Sequence, residues 1–96
     1  MALSAWPRMQ RLELRIPNRL GLHARPAAKL VQLANRFAST IQIIYKNKKA
    51  NAKSILGVLM LAAGHGAKII FEIEGPDEME AAKAIEQLTQ EGFGEA

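Results

Sequence analysis

The folded part of the chain opens on a strict alternation. In RLELRI, residues 11–16, Leu12, Leu14 and Ile16 alternate with Arg11, Glu13 and Arg15. A period of two with a charged outer face predicts a half-buried strand. Pro17 and Asn18 end it, and Gly21 frees the loop that follows. The period then changes. Across residues 24–36, Ala27, Leu30, Val31 and Ala34 recur at helical spacing with Leu33 at the edge, and Arg25, Lys29, Gln32 and Arg36 form another face. Pro26 falls in the first turn, where its missing N–H costs nothing. His23 is thus at or beside the N-cap.

The β-branched stretch STIQIIY, residues 39–45, predicts a second strand. Lys46-Asn47-Lys48-Lys49 reads as a solvated hairpin tip, with residues 49–52 returning as a short third strand. Ser54 precedes the Leu-rich run ILGVLMLAA and is the expected N-cap of a helix over residues 55–62. Ile69, Phe71 and Ile73 share one face of a fourth strand over residues 67–74. Gly75-Pro76-Asp77-Glu78 then opens a last helix, with acid placed favourably for its dipole, a buried stripe of Ala82, Ile85 and Leu88, and an end at Gly92. The order is βαββαβα. Strands that bury one face, with three amphipathic helices, predict an α+β fold: a two-layer, open-faced sandwich with the helices on one side of a mainly antiparallel sheet.

Length limits what such a domain can do. Its 96 residues build one modest core and leave little for a deep cleft. Residues 1–8 read as a loosely ordered extension and residues 9–96 as a single domain, with no apolar run long enough for a bilayer. The opening MALSAWPRM has neither the basic start nor the apolar stretch of a secretory signal. There is no cysteine, which excludes disulfides, thiolate metal sites and cysteine nucleophiles. The net charge of +4 is divided unevenly: only Glu13 of nine acidic residues precedes residue 72, and only Lys83 of thirteen basic ones follows residue 68. The front of the chain attracts anions or acidic partners.

Within that basic half, His23 is the chemically interesting residue. A helix start carries unpaired N–H groups and a positive dipole end. A neutral imidazole is a good nucleophile, and Arg25 offers a permanently charged fork to phosphate oxygens. Together they would hold a phosphoryl group without burying it. The run after Ser54 cannot bury every side of its helix, so it is expected to leave an exposed apolar patch near His23, with Val58 and Leu61 as core. His65, between Gly64 and Gly66, reads as an exposed loop histidine, and two histidines without cysteine make no metal site. No Gly-Lys-Ser/Thr follows that loop at phosphate-loop spacing, so no nucleotide site and no cofactor is expected.

The longer strings are more specific. Gly21-Leu22-His23-Ala24-Arg25-Pro26-Ala27 resembles the active-site signature of HPr, the histidine-containing phosphocarrier family of the bacterial phosphoenolpyruvate phosphotransferase system. Lys53-Ser54-Ile55-Leu56-Gly57-Val58-Leu59-Met60 resembles that family's regulatory-serine and docking-helix segment. The likeness runs from about Met9 to Phe93, and the family shares the βαββαβα order. It implies a carrier rather than an enzyme. His23 would be phosphorylated on Nδ1 by enzyme I, which draws on phosphoenolpyruvate, and Arg25 would stabilise the charge. Sugar-permease or nitrogen-system IIA-type proteins would be the acceptors. Ser54 matches a serine that a dedicated HPr kinase/phosphorylase modifies in some bacteria. Ile55, Leu56 and Leu59 match partner-docking positions, with Arg25, Lys29 and Gln32 as an electrostatic rim that steers acidic partners. A cytoplasmic monomer is expected.

Rival readings are weaker. The basic front and the lysine tip fit nucleic acid, but aromatics are only 5% of the chain and no strand carries a Phe/Tyr stacking pair. A regulatory binding module of the same family would leave His23 unused, yet both His23 and Arg25 are present. A self-contained hydrolase lacks a serine or carboxylate to pair with His23. The branch is divided. Gly75-Pro76-Asp77-Glu78 and Glu91-Gly92-Phe93 resemble the nitrogen-related paralogue NPr, whereas the Lys53–Gly57 block resembles the sugar-system protein, which is favoured slightly.

Overall fold

The computed structural model describes residues 9–95; the N-terminal extension expected over residues 1–8 lies outside them. The elements are β1 (Gln10–Arg15), α1 (Ala24–Ala34), β2 (Thr40–Tyr45), β3 (Lys48–Asn51), α2 (Ile55–Met60), β4 (Lys68–Glu74) and α3 (Glu78–Gln90). One four-stranded sheet has the order β1-β4-β2-β3, and every neighbouring pair is antiparallel. The expected α+β architecture is the observed one.

Alternation decides which face of the sheet meets the helices. Ile41, Ile43, Ile69, Phe71 and Ile73 are fully or almost fully buried, against Ala27, Leu30, Ala34, Ala81, Ile85 and Val58 from the helices. The other face carries charge. Glu72 of β4 takes Arg11 of β1 at 3.0 Å and Lys49 of β3 at 3.6 Å, and Lys68 takes Glu13 at 3.5 Å. Pairs with this much exposure add little to stability.

Local departures from expectation have tertiary causes. The hairpin turns at Lys46 and Asn47 alone, so Lys48 and Lys49 belong to β3 rather than to its tip. Helix α2 stops at Met60, and Leu61 caps it while Ala62 takes a left-handed φ of 54°. On α3 the buried stripe is Ala81, Ala82, Ile85 and Thr89, and Leu88 is only half-buried. Thr89 fits inside because its hydroxyl donates back to the Ile85 carbonyl at 2.8 Å.

Asp77, expected to serve the α3 dipole, instead ties α3 to the loop before β2. Its carboxylate accepts from the Ala38 amide at 2.9 Å, the Ser39 amide at 3.0 Å and the Ser39 hydroxyl at 2.5 Å. The Ser39 hydroxyl first, and then the Ala38 amide, hold this carboxyl below its usual range. Glu78 beside it is buried and fully engaged, accepting from the Gly75 amide and from Gln10.

Past α3 the chain does not simply stop. A short 3-10 turn, Gly92–Gly94, drives Phe93 into the core, where it is fully buried. That turn is a C-terminal strap, and it brings residue 95 back over the start of α1.

Candidate functional site

The site is built where the β1–α1 loop meets the strap. Pro17 stops β1, and the chain turns through Asn18–Leu20 with the Gly21 amide bonded to the Asn18 carbonyl at 3.0 Å. Gly21 has φ +71°, and a Cβ there would stand 2.5 Å from the Ala63 carbonyl oxygen, so no other residue fits without moving backbone. Leu22 is then buried, its amide donating to the Ala63 carbonyl at 2.9 Å. Anchored on both sides, the loop delivers His23 as the N-cap of α1, as its position in the sequence predicts.

His23 does not cap the helix with its ring. Its backbone carbonyl accepts the Ala27 amide at 2.9 Å, which leaves the imidazole free for other work. The amides of Ala24 and Arg25, in the first turn, have no intrahelical acceptor. Ring Nε2 lies 3.1 Å from Glu95 Oε2 and 3.4 Å from Oε1. Among the described residues, Nδ1 has no hydrogen-bond partner. The ring's side chain is 35% exposed, so a partner can reach it.

Glu95 is the residue that the linear pattern misses. A carboxylate does pair with His23, but from 72 residues away, through the α3 strap. Asn18 completes the arrangement: its Nδ2 donates to Glu95 Oε1 at 2.7 Å and to the Gly92 carbonyl at 2.7 Å. The Asn18 amide first, then His23 and Arg25, hold the Glu95 carboxyl below its usual range against an opposing contribution from burial. Arg25 and Arg19 line the same shallow depression as His23, Leu20 and Glu95. The depression is cationic on one side and carboxylate-bound on the other.

The remaining predicted positions lie on α1 and α2, which pack against each other. Ser54 is the N-cap of α2, and its hydroxyl accepts from the Gly57 amide at 3.2 Å. Leu56 and Met60 are 66% and 69% exposed, Ile55 is 42% exposed, and Leu59 is half-buried against the core. Val58 and Leu61 are buried, as the sequence indicates. Leu20, 75% exposed beside His23, and Met60 are apolar surface that sequence reading passed over. Lys29 and Gln32 are exposed on α1, with the Lys29 amine close to Gly94. Ser54 stands at the end of α2 away from Ala63 and is not part of the His23 depression. His65 is exposed in its loop, and no metal-binding cluster occurs among the described residues.

Comparison with known proteins now decides the family. The family profile described as "PTS HPr component phosphorylation site" matches residues 10–91. The chain belongs to the HPr family. The phosphocarrier protein HPr of Treponema pallidum is 50% identical over 82 residues, covering 85% of this chain and 93% of that protein. That of Cupriavidus necator is 50% identical over 80 residues, covering 83% and 90%. The crystal structure of HPr from Thermoanaerobacter tengcongensis superposes with a TM-score of 0.87 at 45% identity, covering 91% of this chain and 98% of that one. HPr relatives are phosphocarriers of the phosphotransferase system, carriers rather than enzymes. Both the fold expected from periodicity and the resemblance drawn from the two motifs therefore stand.

Proposed function

We propose that this HPr-family protein accepts a phosphoryl group on Nδ1 of His23 from phosphorylated enzyme I and passes it to a IIA-type acceptor. The observation that carries the reading is the ring's environment: Nε2 is occupied by Glu95 while Nδ1 has no partner among the described residues. The Nδ1 lone pair attacks phosphorus as the bond from phosphorus to the donor atom breaks. Charge on the three equatorial oxygens meets the Arg25 guanidinium and the open amides of α1. Onward transfer reverses the step, with the Nδ1–P bond breaking as the acceptor's bond forms. This reading puts the protein in the cytoplasm, where phosphoenolpyruvate is made.

A shuttle must dock quickly and leave quickly. Exposed Leu20, Ile55, Leu56 and Met60, together with the exposed cations Arg25 and Lys29, fit transient binding to an acidic partner. Leu56→Glu is expected to weaken enzyme I binding about 10-fold or more, with stability changed by only about 0.5 kcal/mol because the side chain is exposed. Calorimetric titration and a thermal melt check both halves, and a large fall in melting temperature would make Leu56 core instead. Ser54 is read as the regulatory phosphorylation site. Ser54 is exposed at the start of α2, and a phosphate there would add about two negative charges on the helix that carries Ile55 and Leu56. Ser54→Asp, which still caps the helix, is expected to slow transfer from enzyme I several-fold. An unchanged rate in a stopped-time assay would remove Ser54 from the docking surface.

Intact mass after incubation with phosphoenolpyruvate and active enzyme I tests the whole reading. One added phosphoryl group that brief acid removes and brief base spares is the expected result. No gain would leave the chain as a binding module that does not carry phosphate.

A further inference from the structure

A carrier that uses Nδ1 needs that nitrogen unprotonated, and a neutral imidazole left to itself can place its proton on either nitrogen. Around His23 the choice is made from outside the ring. Glu95 Oε2 faces Nε2 at 3.1 Å, and a carboxylate can only accept, so Nε2 must carry the hydrogen. The carboxylate does not orient itself either. Oε1 is held by Asn18 Nδ2 at 2.7 Å, and the same amide nitrogen donates to the Gly92 carbonyl at 2.7 Å. Asn18 is buried, and its Oδ1 has no partner. Flipping the amide would set Oδ1 against two acceptor oxygens, so the orphaned oxygen is the cost of keeping Nδ2 where Glu95 and Gly92 need it.

We propose that Asn18 and Glu95 are positioning residues that lock His23 in the Nε2–H tautomer and so keep Nδ1 as the nucleophile. The proposal rests on reading His23 as the phosphoryl acceptor. The charged groups around the pair are Arg25 and Arg19 from the α1 side and Glu91 from the end of α3. As the Nδ1–P bond forms and the donor's bond electrons leave with the donor, the ring becomes cationic. Its Nε2 proton stays in place, and the Glu95 carboxylate stabilises that charge. When phosphorus leaves, the bonding pair returns to Nδ1. No proton has to move in either direction.

The test uses the isosteric variant, because shape and hydrogen-bond polarity then separate. In Glu95→Gln the amide oxygen must remain towards Asn18 Nδ2, which turns the amide NH2 towards His23 Nε2. Nε2 becomes an acceptor and the proton moves to Nδ1. Ring ¹⁵N spectra of the unphosphorylated protein are expected to show Nε2–H in the wild type, Nδ1–H in Glu95→Gln and a mixture in Glu95→Ala. Phosphoryl acceptance from enzyme I is expected to fall at least about 10-fold lower in Glu95→Gln than in Glu95→Ala. Adding Asn18→Ala to Glu95→Gln frees the amide to flip and should restore both the tautomer and the rate towards the Glu95→Ala level. A wild-type ring with its proton on Nδ1 overturns the proposal even if no variant folds. So does a Gln variant that keeps Nε2–H, or one that transfers as fast as the Ala variant. Failure of the wild type to take any phosphoryl group would instead overturn the acceptor reading, and the spectra tell the two apart because they need no phosphotransfer.

Discussion

The His23→Ala protein is expected to fold like the wild type and to take no phosphoryl group from enzyme I. Folding survives because the ring contributes little to it. The helix bond at this position runs from the Ala27 amide to the His23 backbone carbonyl, which alanine keeps. The ring makes no capping bond, and its pair with Glu95 is partly exposed, a class of interaction worth about 0–1 kcal/mol. A melting temperature within about 5 °C of the wild type is therefore expected. Transfer does not survive, because among the described residues no other imidazole lies at the mouth of α1. The other histidine, His65, sits in an exposed loop outside the depression that Arg25 and Arg19 line. Intact mass and circular dichroism on the same sample read the two effects separately. Continued phosphorylation with a normal melt would move the acceptor to another residue.

That His23 could be singled out from sequence has a local cause. An N-cap is fixed by the change of period after Gly21 and by Pro26 in the first turn, and both are visible within eight residues. Ser54 was legible for the same reason: a capping residue announces a short helix before any tertiary contact forms. The alternation in β1 and β4 likewise reports one buried face, so the open sheet followed. What failed to show are the features that only three-dimensional closure creates. Glu95 and Asn18 lie 77 residues apart, and no spacing rule links them. Helix α2 has six residues, fewer than two turns, so periodicity could not choose between Leu56, Leu59 and Met60 as its outer face. Packing against α1 chose it. On α3 the sequence favoured Leu88 by hydrophobicity, and the geometry buried Thr89 because its hydroxyl could bond within the helix.

Phe93 is the plainest instance of tertiary structure overriding local preference, and it carries the second large expected effect. Its φ of 57° and ψ of 30° lie in the left-handed region, which a bulky residue avoids. Burial holds it there: Phe93 is fully enclosed in the core that also contains Leu30, Ile85 and Phe71. Phe93→Ala should cost about 3–5 kcal/mol through lost burial and a residual cavity, a large share of the roughly 5–15 kcal/mol that holds a domain together. A fall of about 15 °C or more in melting temperature is expected for a domain this small. The loss should also reach the site. Gly94 and Glu95 donate their amides to the Glu91 and Gly92 carbonyls, so the strap keeps its path only while Phe93 anchors it. Hydrogen exchange at those two amides should accelerate well below the melting temperature, ahead of the sheet. If the variant melted within about 3 °C of the wild type, with both amides still protected, Phe93 would be a bystander. The strap would then be held by its polar ties to Asn18 and His23.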